Sequence, residues 1–300
     1  MWIVNHRKLF YSISGILVIG SIVAMLMYGF NFGIDFKGGA ILEVEYTQII
    51  PSLDTVNKAL SPLKVDATAR QIGESGYLIR MKSLSEPERV QVLQALEISG
   101  VAKFEQKRFD SIGAVLGNEA AKKSVTSIVI VILAIVLFIA FAFRHVSEPV
   151  SSWKYGMVAV IALIHDVIVP TGIFVILGHF KGFEIDTLFV TALLVILGFS
   201  VHDTIVVFDR VRENLKVHKN KPFAHTVGES ISQTFTRSIN TSLTVVFSLL
   251  VLYFFGGEAT HNFTLTLLIG IIAGTYSSIF IGSPLLVTIQ ERQARKNKQK

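Results

Sequence analysis

The sequence predicts an α-helical membrane protein with six transmembrane helices plus one small α+β domain outside the membrane. Its composition points to the membrane, because 51% of the 300 residues are hydrophobic, only 17% are charged, and the mean hydropathy is +0.56. The hydrophobic residues are gathered into six long runs, and one mixed interval between the first two runs has the pattern of a small soluble domain. These observations together give the fold class.

Six apolar runs, each about 18 residues or longer, are the predicted transmembrane helices. At roughly 1.5 Å per residue, such a run crosses a hydrocarbon core of about 30 Å. A bilayer also requires every backbone polar group to be satisfied within the segment, which selects helices. Buried helices of a soluble protein are the alternative, but these rarely run so long without a charge. The runs cover residues 9–30, 124–143, 155–177, 187–208, 238–255 and 263–289.

The distribution of lysine and arginine predicts the orientation of the chain. With the N-terminus inside, the two short outer loops hold Lys181 as their one basic residue. The inner segments then hold most other basic residues outside the mixed interval, among them Arg7, Arg144, Lys154 and those of 210–237. Both termini are therefore predicted to be cytoplasmic. The formal charge of +6 fits anionic membrane lipid as a partner, and no nucleic acid is expected.

Residues 31–123 are predicted to form an extracytoplasmic α+β domain with hinges. Strands are indicated at 41–46, 66–72, 77–82 and 101–109. Helices are indicated at 52–60, where Ser52 is a candidate N-cap, and at about 85–98. The resulting order β-α-β-β-α-β is that of a ferredoxin-like sandwich. The domain shows no catalytic cluster, which favours a binding or force-bearing module over an enzyme.

The rest of the chain divides into three regions. Residues 1–30 are predicted to form an N-terminal tail and the first transmembrane helix, 124–289 hold helices two to six, and 290–300 form a basic cytoplasmic tail. The polar segment 210–237 is predicted to be an amphipathic helix along the membrane surface. Because the chain has no cysteine, disulfides and thiolate chemistry are excluded, and neither a cofactor nor a metal is expected.

Four ionisable side chains other than tyrosines lie inside the six runs: His165, Asp166, His202 and Asp203. An ionisable group at membrane depth is costly and marks a functional site by default. Asp203 lies roughly 8 Å from the end of its run, and Arg237 immediately precedes the next run, so its long side chain can reach that level. A carboxylate and a guanidinium that approach and separate form a switchable proton site. The alternative is a static ion pair that sets the helix register.

Two polar stripes are predicted on the fourth and fifth helices from spacings of three and four residues. One holds Ser200, Asp203, Thr204, Val207 and Arg210, and the other holds Arg237, Asn240, Thr241, Thr244 and Ser248. On neighbouring antiparallel helices, the stripes either line a hydrated path or pack together through hydrogen bonds. The residues expected to support a relay at Asp203 are Ser200, His202, Thr204, Asn240, Thr241 and Thr244.

His165 and Asp166 lie near the middle of the third run. Helix packing and a secondary relay both remain open for Asp166, whereas His165 alone is more typical of a structural hydrogen bonder. A metal site is disfavoured, because adjacent helix residues point to different faces. An intramembrane aspartyl protease is also disfavoured, because the two aspartates fall at different depths and the Gly-Phe-Ser-Val-His before Asp203 lacks the protease motif.

A third stripe, made of small residues, lies on the sixth helix. It holds Gly270, Gly274, Ser278 and Gly282. Small residues at this spacing permit close helix contact, so we interpret the stripe as a packing surface, either within the chain or against a partner subunit.

Three segments resemble the SecD/SecF family of translocase subunits, and the SecF branch most closely. The Gly-Ile-Asp-Phe-Lys-Gly-Gly segment at 33–39 resembles the family's glycine motif after the first span. His-Asp-Val-Ile at 165–168 resembles its third-span segment, and 203–214 closely resembles its long fourth-span signature. The structural positions of the glycine motif are Gly33, Asp35, Gly38 and Gly39. The resemblance covers nearly the whole chain.

This resemblance implies a non-enzymatic subunit of the resistance-nodulation-division superfamily in the bacterial plasma membrane. It implies pairing with six-span SecD, association with the SecYEG channel and with unfolded preprotein, and YajC as a further candidate partner. The essential carboxylate of the family maps onto Asp203 and its functional arginine onto Arg237, with the proton motive force as the energy source. His202 departs from the Asn that many relatives carry at this position.

Several alternatives to a proton-coupled export subunit stay open. Sodium is the alternative coupling ion, since it shares carboxylate sites with protons. A passive scaffold of the translocation channel would need Asp203 and Arg237 only as a structural pair. A small-molecule exporter of the same superfamily is disfavoured by six spans, because alternating-access transporters generally use two repeats.

Overall fold

The structure, a computed structural model, describes residues 1–98, 100, 102–143, 151–218 and 220–298. The chain divides into two compact units, one made of Met1–Asn31 with Thr126–Lys300 and the other of Phe32–Val125. Within the described residues, six helices are long and apolar enough to cross a membrane, and the smaller unit contains a four-stranded sheet. The predicted fold class is therefore confirmed.

The helices and strands are labelled in chain order. The helices are α1 (Trp2–Asn5), α2 (Arg7–Tyr28), α3 (Ile34–Lys37), α4 (Leu53–Leu60), α5 (Glu86–Leu96), α6 (Ala114–Ala142), α7 (Ser152–Lys181), α8 (Thr187–Val217), α9 (Phe223–Phe255), α10 (Glu258–Ser277) and α11 (Ser283–Lys298). The strands are β1 (Gly39–Tyr46), β2 (Thr68–Ile72), β3 (Gly76–Met81) and β4 (Phe104–Ile112). A π-helical segment, Ser278–Gly282, joins α10 to α11.

The smaller unit has the predicted β-α-β-β-α-β order. Its sheet is antiparallel with strand order β2-β3-β1-β4, so β1 and β2 are parallel to each other on either side of β3. This is the split arrangement of the ferredoxin-like sandwich. Its apolar core contains fully buried side chains from strands and both helices, including Leu42, Val56, Ile79 and Val92. Strand β4 extends three residues beyond its predicted end, because Ile112 still pairs with Gly39.

Both helices of the smaller unit begin at a hydrogen-bonded cap. The Ser52 hydroxyl accepts the Thr55 backbone N–H at 3.3 Å, as its position before α4 predicts. At α5, the Glu88 carboxylate accepts the Ser85 backbone N–H at 2.8 Å and pairs with Lys82 at 3.0 Å. These contacts, the Ser85 N–H foremost, lower the pKa of Glu88 to about 2.

The glycine motif lies where α3 meets β1 inside the smaller unit. Gly33 precedes α3 and Asp35 lies in its first turn, followed by Gly38 at φ +76° and Gly39 at φ +138°. A Cβ on Gly38 would lie 2.7 Å from the Cα of Ala114. The motif therefore needs glycine both for its left-handed backbone and for a close approach to the start of α6.

The prediction of a surface helix at 210–237 is wrong. Helix α8 continues without a break to Val217, α9 begins at Phe223, and the segment forms the ends of these two helices. No helix breaker interrupts α8 there, and Asp209–Arg212 and Arg210–Glu213 ion pairs at i,i+3 support its polar turns. Buried Asn214 also donates to the Ser230 hydroxyl at 2.8 Å, joining α8 to α9.

The small-residue stripe makes close contact with α8, as a packing surface should. The Cβ position of Gly270 is occupied by the side chain of Ile196, and that of Gly274 lies 3.0 Å from the Cβ of Ser200. The side chains of Ser278 and Ser200 are fully buried in the same region. These glycines therefore face α8 of their own chain rather than a partner subunit.

Candidate functional site

Asp203 lies on the inner face of α8, within the larger unit of Met1–Asn31 and Thr126–Lys300, which we call the membrane unit. Its side chain is 2% exposed, and its Oδ2 has no hydrogen-bond partner among the described residues. The other oxygen lies 3.6 Å from Nδ1 of His202, whose own side chain is 60% exposed. Asp203 is thus a buried acid with one oxygen free to accept a proton.

Arg237 lies on an exposed part of α9 and acts on Asp203 electrostatically. In the described part of the chain, no ion pair within 4.0 Å joins the two side chains. The structure therefore represents a separated arrangement of the two predicted relay groups.

The two polar stripes do not meet. On α8, Ser200, Asp203, Thr204 and Val207 are buried, whereas on α9 the side chains of Asn240, Thr244 and Ser248 are exposed and that of Thr241 is half-buried. The α9 hydroxyls instead donate to carbonyls of their own helix, as Thr241 does to Arg237 at 2.9 Å. The α9 stripe therefore faces away from the interior of this chain.

Asp166 is the centre of a buried polar cluster in the membrane unit. Its side chain is 0% exposed and accepts hydrogen bonds from His165 Nδ1 at 2.9 Å, from Ser277 Oγ at 2.8 Å and from Ser200 Oγ. These donors come from α7, α10 and α8. The sequence analysis did not identify Ser277. Its expectation that the adjacent residues His165 and Asp166 point to different helix faces is wrong, because the His165 ring bonds to the Asp166 carboxylate.

A second set of hydroxyls extends this cluster along α8 towards Asp203. Ser278, at the start of the π-helical segment, donates to the Ser200 carbonyl at 3.1 Å, and its hydroxyl lies 2.9 Å from that of Thr204. Ser200 and Thr204 flank Asp203 on the same helix face. The polar side chains predicted on α8 are thus brought together with α7 and α10, rather than with the α9 stripe.

Comparison with known proteins identifies similar chains. The family model described as "Protein export membrane protein SecD/SecF, C-terminal" matches residues 92–292, and that of the "SecD/SecF GG Motif" matches 23–48. The chain is 42% identical to "Protein translocase subunit SecF" of Thermobaculum terrenum, over 97% of this chain and 94% of the relative. It is 39% identical to the protein of the same name from Anaerolinea thermophila, over 95% and 92%.

Solved structures show the same fold. The crystal structure of SecDF, described as a translocon-associated membrane protein from Thermus thermophilus, matches with a TM-score of 0.82 and 28% identity. A SecDF structure in a super-membrane-facing form matches with a TM-score of 0.70 and 29% identity. The first match covers 96% of this chain but only 38% of the SecDF chain. The second covers 98% of this chain and 39% of the SecDF chain.

Proposed function

Because this chain belongs to the SecD/SecF family of protein-export membrane proteins, we propose that it works with SecD as a proton-coupled subunit of the Sec machinery. In this role it assists late steps of preprotein translocation and release, and it transports rather than catalyses. Its place is the bacterial plasma membrane, with both termini cytoplasmic and the smaller unit outside, where it contacts unfolded preprotein. The SecYEG channel is the proposed assembly partner and YajC a further one.

The observation that carries proton coupling is the buried Asp203 carboxylate with its unpartnered oxygen. Protonation at Oδ2 removes a buried charge, whereas loss of the proton creates one that attracts the Arg237 guanidinium. Asp203 and Arg237 would thus approach each other when Asp203 loses its proton and separate when Asp203 gains one. A single charge crossing 100 mV supplies about 2.3 kcal/mol, which is enough to bias such a two-state element.

The α9 stripe supports SecD as the partner. Asn240 is exposed on this stripe, and its amide in contact with lipid is unfavourable because the bilayer core offers it no partners. SecDF chains contain more than twice the length that this chain matches. A second six-span unit of the same superfamily is therefore the proposed cover for the stripe, and six spans from each subunit complete a twelve-span transporter.

The test is Asp203→Asn in the assembled complex, in sealed vesicles with an imposed proton gradient. We expect gradient-driven preprotein release and proton uptake to fall to background while co-purification with SecD is unchanged. Asp54→Asn is the control, since it removes a carboxylate of the smaller unit that is paired only with exposed Lys58. Export that persists in Asp203→Asn would identify the chain as a scaffold, and a chain that transports without SecD would favour the small-molecule exporter.

A further inference from the structure

The His165–Asp166 pair has no role in the proposed exchange between Asp203 and Arg237, yet it is the most deeply buried pair of ionisable groups among the described residues. The side chains are 5% and 0% exposed. Hydrogen bonds from Ser200 and Ser277 satisfy the oxygen of Asp166 that His165 does not contact. Three donors from three helices bond to this carboxylate, so its surroundings are arranged to accept a charged group and not merely to fill space.

His165 supplies the atom that can take a proton. Its Nδ1 bonds to Asp166, so in the neutral ring Nδ1 carries the hydrogen and Nε2 is a bare acceptor. Nε2 is buried and has no hydrogen-bond partner among the residues that the structure describes. One added proton turns a pair of charge −1 into a neutral pair, which a low-dielectric interior favours strongly. The geometry therefore offers one open proton position, Nε2, on a ring that Asp166 holds through Nδ1.

Few other titratable groups surround the pair. From α10, the Tyr276 ring lies 6.2 Å from the His165 ring, and its hydroxyl donates to the Phe10 carbonyl. From α2, Ser14 bonds to that same hydroxyl at 3.4 Å. From α8, Asp203 follows Ser200 by one turn, and His202 points outward. Asp203 is thus the acid that lies one turn from Ser200, the α8 residue bonded to Asp166.

We propose that His165–Asp166 is a second proton-carrying site, hydrogen-bonded to Ser200, which precedes Asp203 by one turn of α8, about 5 Å. Ser200 donates to Asp166, and the Ser200 carbonyl accepts from Ser278, which contacts Thr204 beside Asp203. Protonation of the pair makes the Asp166 carboxylate a weaker hydrogen-bond acceptor. The bonds from Ser200 and Ser277, which connect α8 and α10 to α7, are then weakened. This site rests on the proposed function, since it extends the path that begins at Asp203.

The test compares two variants with a control in the SecD-containing complex. His165→Asn keeps a side-chain N–H near the Nδ1 position but cannot hold the extra proton, and Asp166→Asn removes the carboxylate. Thr171→Val is the control, because it lies on the same helix and its hydroxyl bonds only to the Val167 carbonyl. The measurements are pH-dependent infrared difference spectra of the purified complex and proton-driven preprotein release in sealed vesicles.

We expect a titrating imidazole or carboxyl band in the wild type and in Thr171→Val that is absent from His165→Asn and Asp166→Asn. Proton-driven release should fall by about 100-fold in His165→Asn, the lower range for losing a positioned proton-transfer group. Wild-type release by His165→Asn, or spectra without a band specific to the pair, overturns the proposal. If Asp166→Asn does not assemble, the His165→Asn results alone decide.

Asp203→Asn, measured in parallel, separates this site from the proposed function. If Asp203→Asn loses proton-driven release and His165→Asn retains it, the second site is wrong and the proposed function stands. If Asp203→Asn retains release, the proposed function fails, and the infrared band still reports whether the pair binds a proton. Release driven by a sodium gradient at fixed pH and lost in Asp166→Asn would overturn the assignment of a proton to this site.

Discussion

Gly38 lies where the chain takes a left-handed turn while passing against another backbone segment. Its φ is +76°, and the nearest atoms to an added Cβ are the Cα and N of Ala114, at 2.7 and 2.8 Å. Gly73 also has a positive φ, of +60°, but nothing lies within 4 Å of its Cβ position. The two glycines thus share a positive φ but differ in the space around an added Cβ.

Gly38→Ala should destabilise the smaller unit more than Gly73→Ala. Alanine with a positive φ costs about 1–2 kcal/mol in the left-handed α region; Gly38, at φ +76° and ψ +162°, lies in a region essentially restricted to glycine, and the Ala114 backbone must also move there. The measurement is hydrogen exchange of the β1 amides in the intact protein. Equal loss of protection in the two variants would show that the approach to Ala114 carries no cost.

The two intramembrane aspartates differ in how their oxygens are satisfied. Asp166 accepts from three side chains on three helices, whereas Asp203 has His202 3.6 Å from one oxygen and keeps the other unpartnered among the described residues. Asp166→Asn places the donor N–H₂ of the new amide beside groups that are themselves donors. This disturbs the packing of α7, α8 and α10. Substitution of Asp203 disturbs fewer bonds, so it is the cleaner probe of proton coupling.

At the scale of single elements, the start of α5 depends on an ionised carboxylate. Glu88 has a folded-state pKa of about 2, below the usual 4.5, because it accepts the Ser85 N–H and hydroxyl and pairs with Lys82. A depressed pKa contributes stability that is fully present above about pH 4.5 and is lost as the pH falls towards 2. The first turn of α5 should therefore become less stable as the pH falls from about 4.5 towards 2.

Hydrogen exchange of α5 in the full-length protein, expressed as protection factors, tests this expectation. Protection should decrease between about pH 4.5 and pH 2 in the wild type, and Glu88→Gln should be less protected at neutral pH and largely insensitive to this acid range. Glu86→Gln is the matched control, since Glu86 pairs with Arg89 and not with Ser85. Acid sensitivity that survives in Glu88→Gln would assign the effect to another group.

The elements also show what sequence patterns could and could not predict. The six helices and the strand order of the smaller unit were predictable, because hydrophobic runs and alternation are local properties of the chain. Spacing also placed Ser200 with Asp203, and Asn240 with Thr244, on shared helix faces. It could not tell which face turns inward, since that depends on how each helix is rotated against its neighbours. Hence Ser277 was missed, and the α9 stripe was expected beside α8.

At the scale of the whole molecule, the polarity of the membrane unit is divided between two surfaces. The inner surface joins α7, α8 and α10 through Asp166, Ser200 and Ser277. The outer surface is the α9 stripe, whose Asn240 and Thr244 are exposed. Arg237 belongs to the outer surface yet acts on Asp203 of the inner one, so a partner lying on α9 would directly affect the proposed proton site.

A cysteine-free chain makes the covering of the α9 stripe directly measurable, because each introduced thiol is unique. We expect Thr244→Cys to react with a maleimide in the isolated subunit in detergent and to be protected at least tenfold in the complex with SecD, since docking removes the side chain from solvent. Leu26→Cys on α2, at a position 81% exposed, is the control and should react similarly in both preparations. Equal labelling of Thr244→Cys with and without SecD would place the partner elsewhere and leave the polarity of α9 unexplained by SecD.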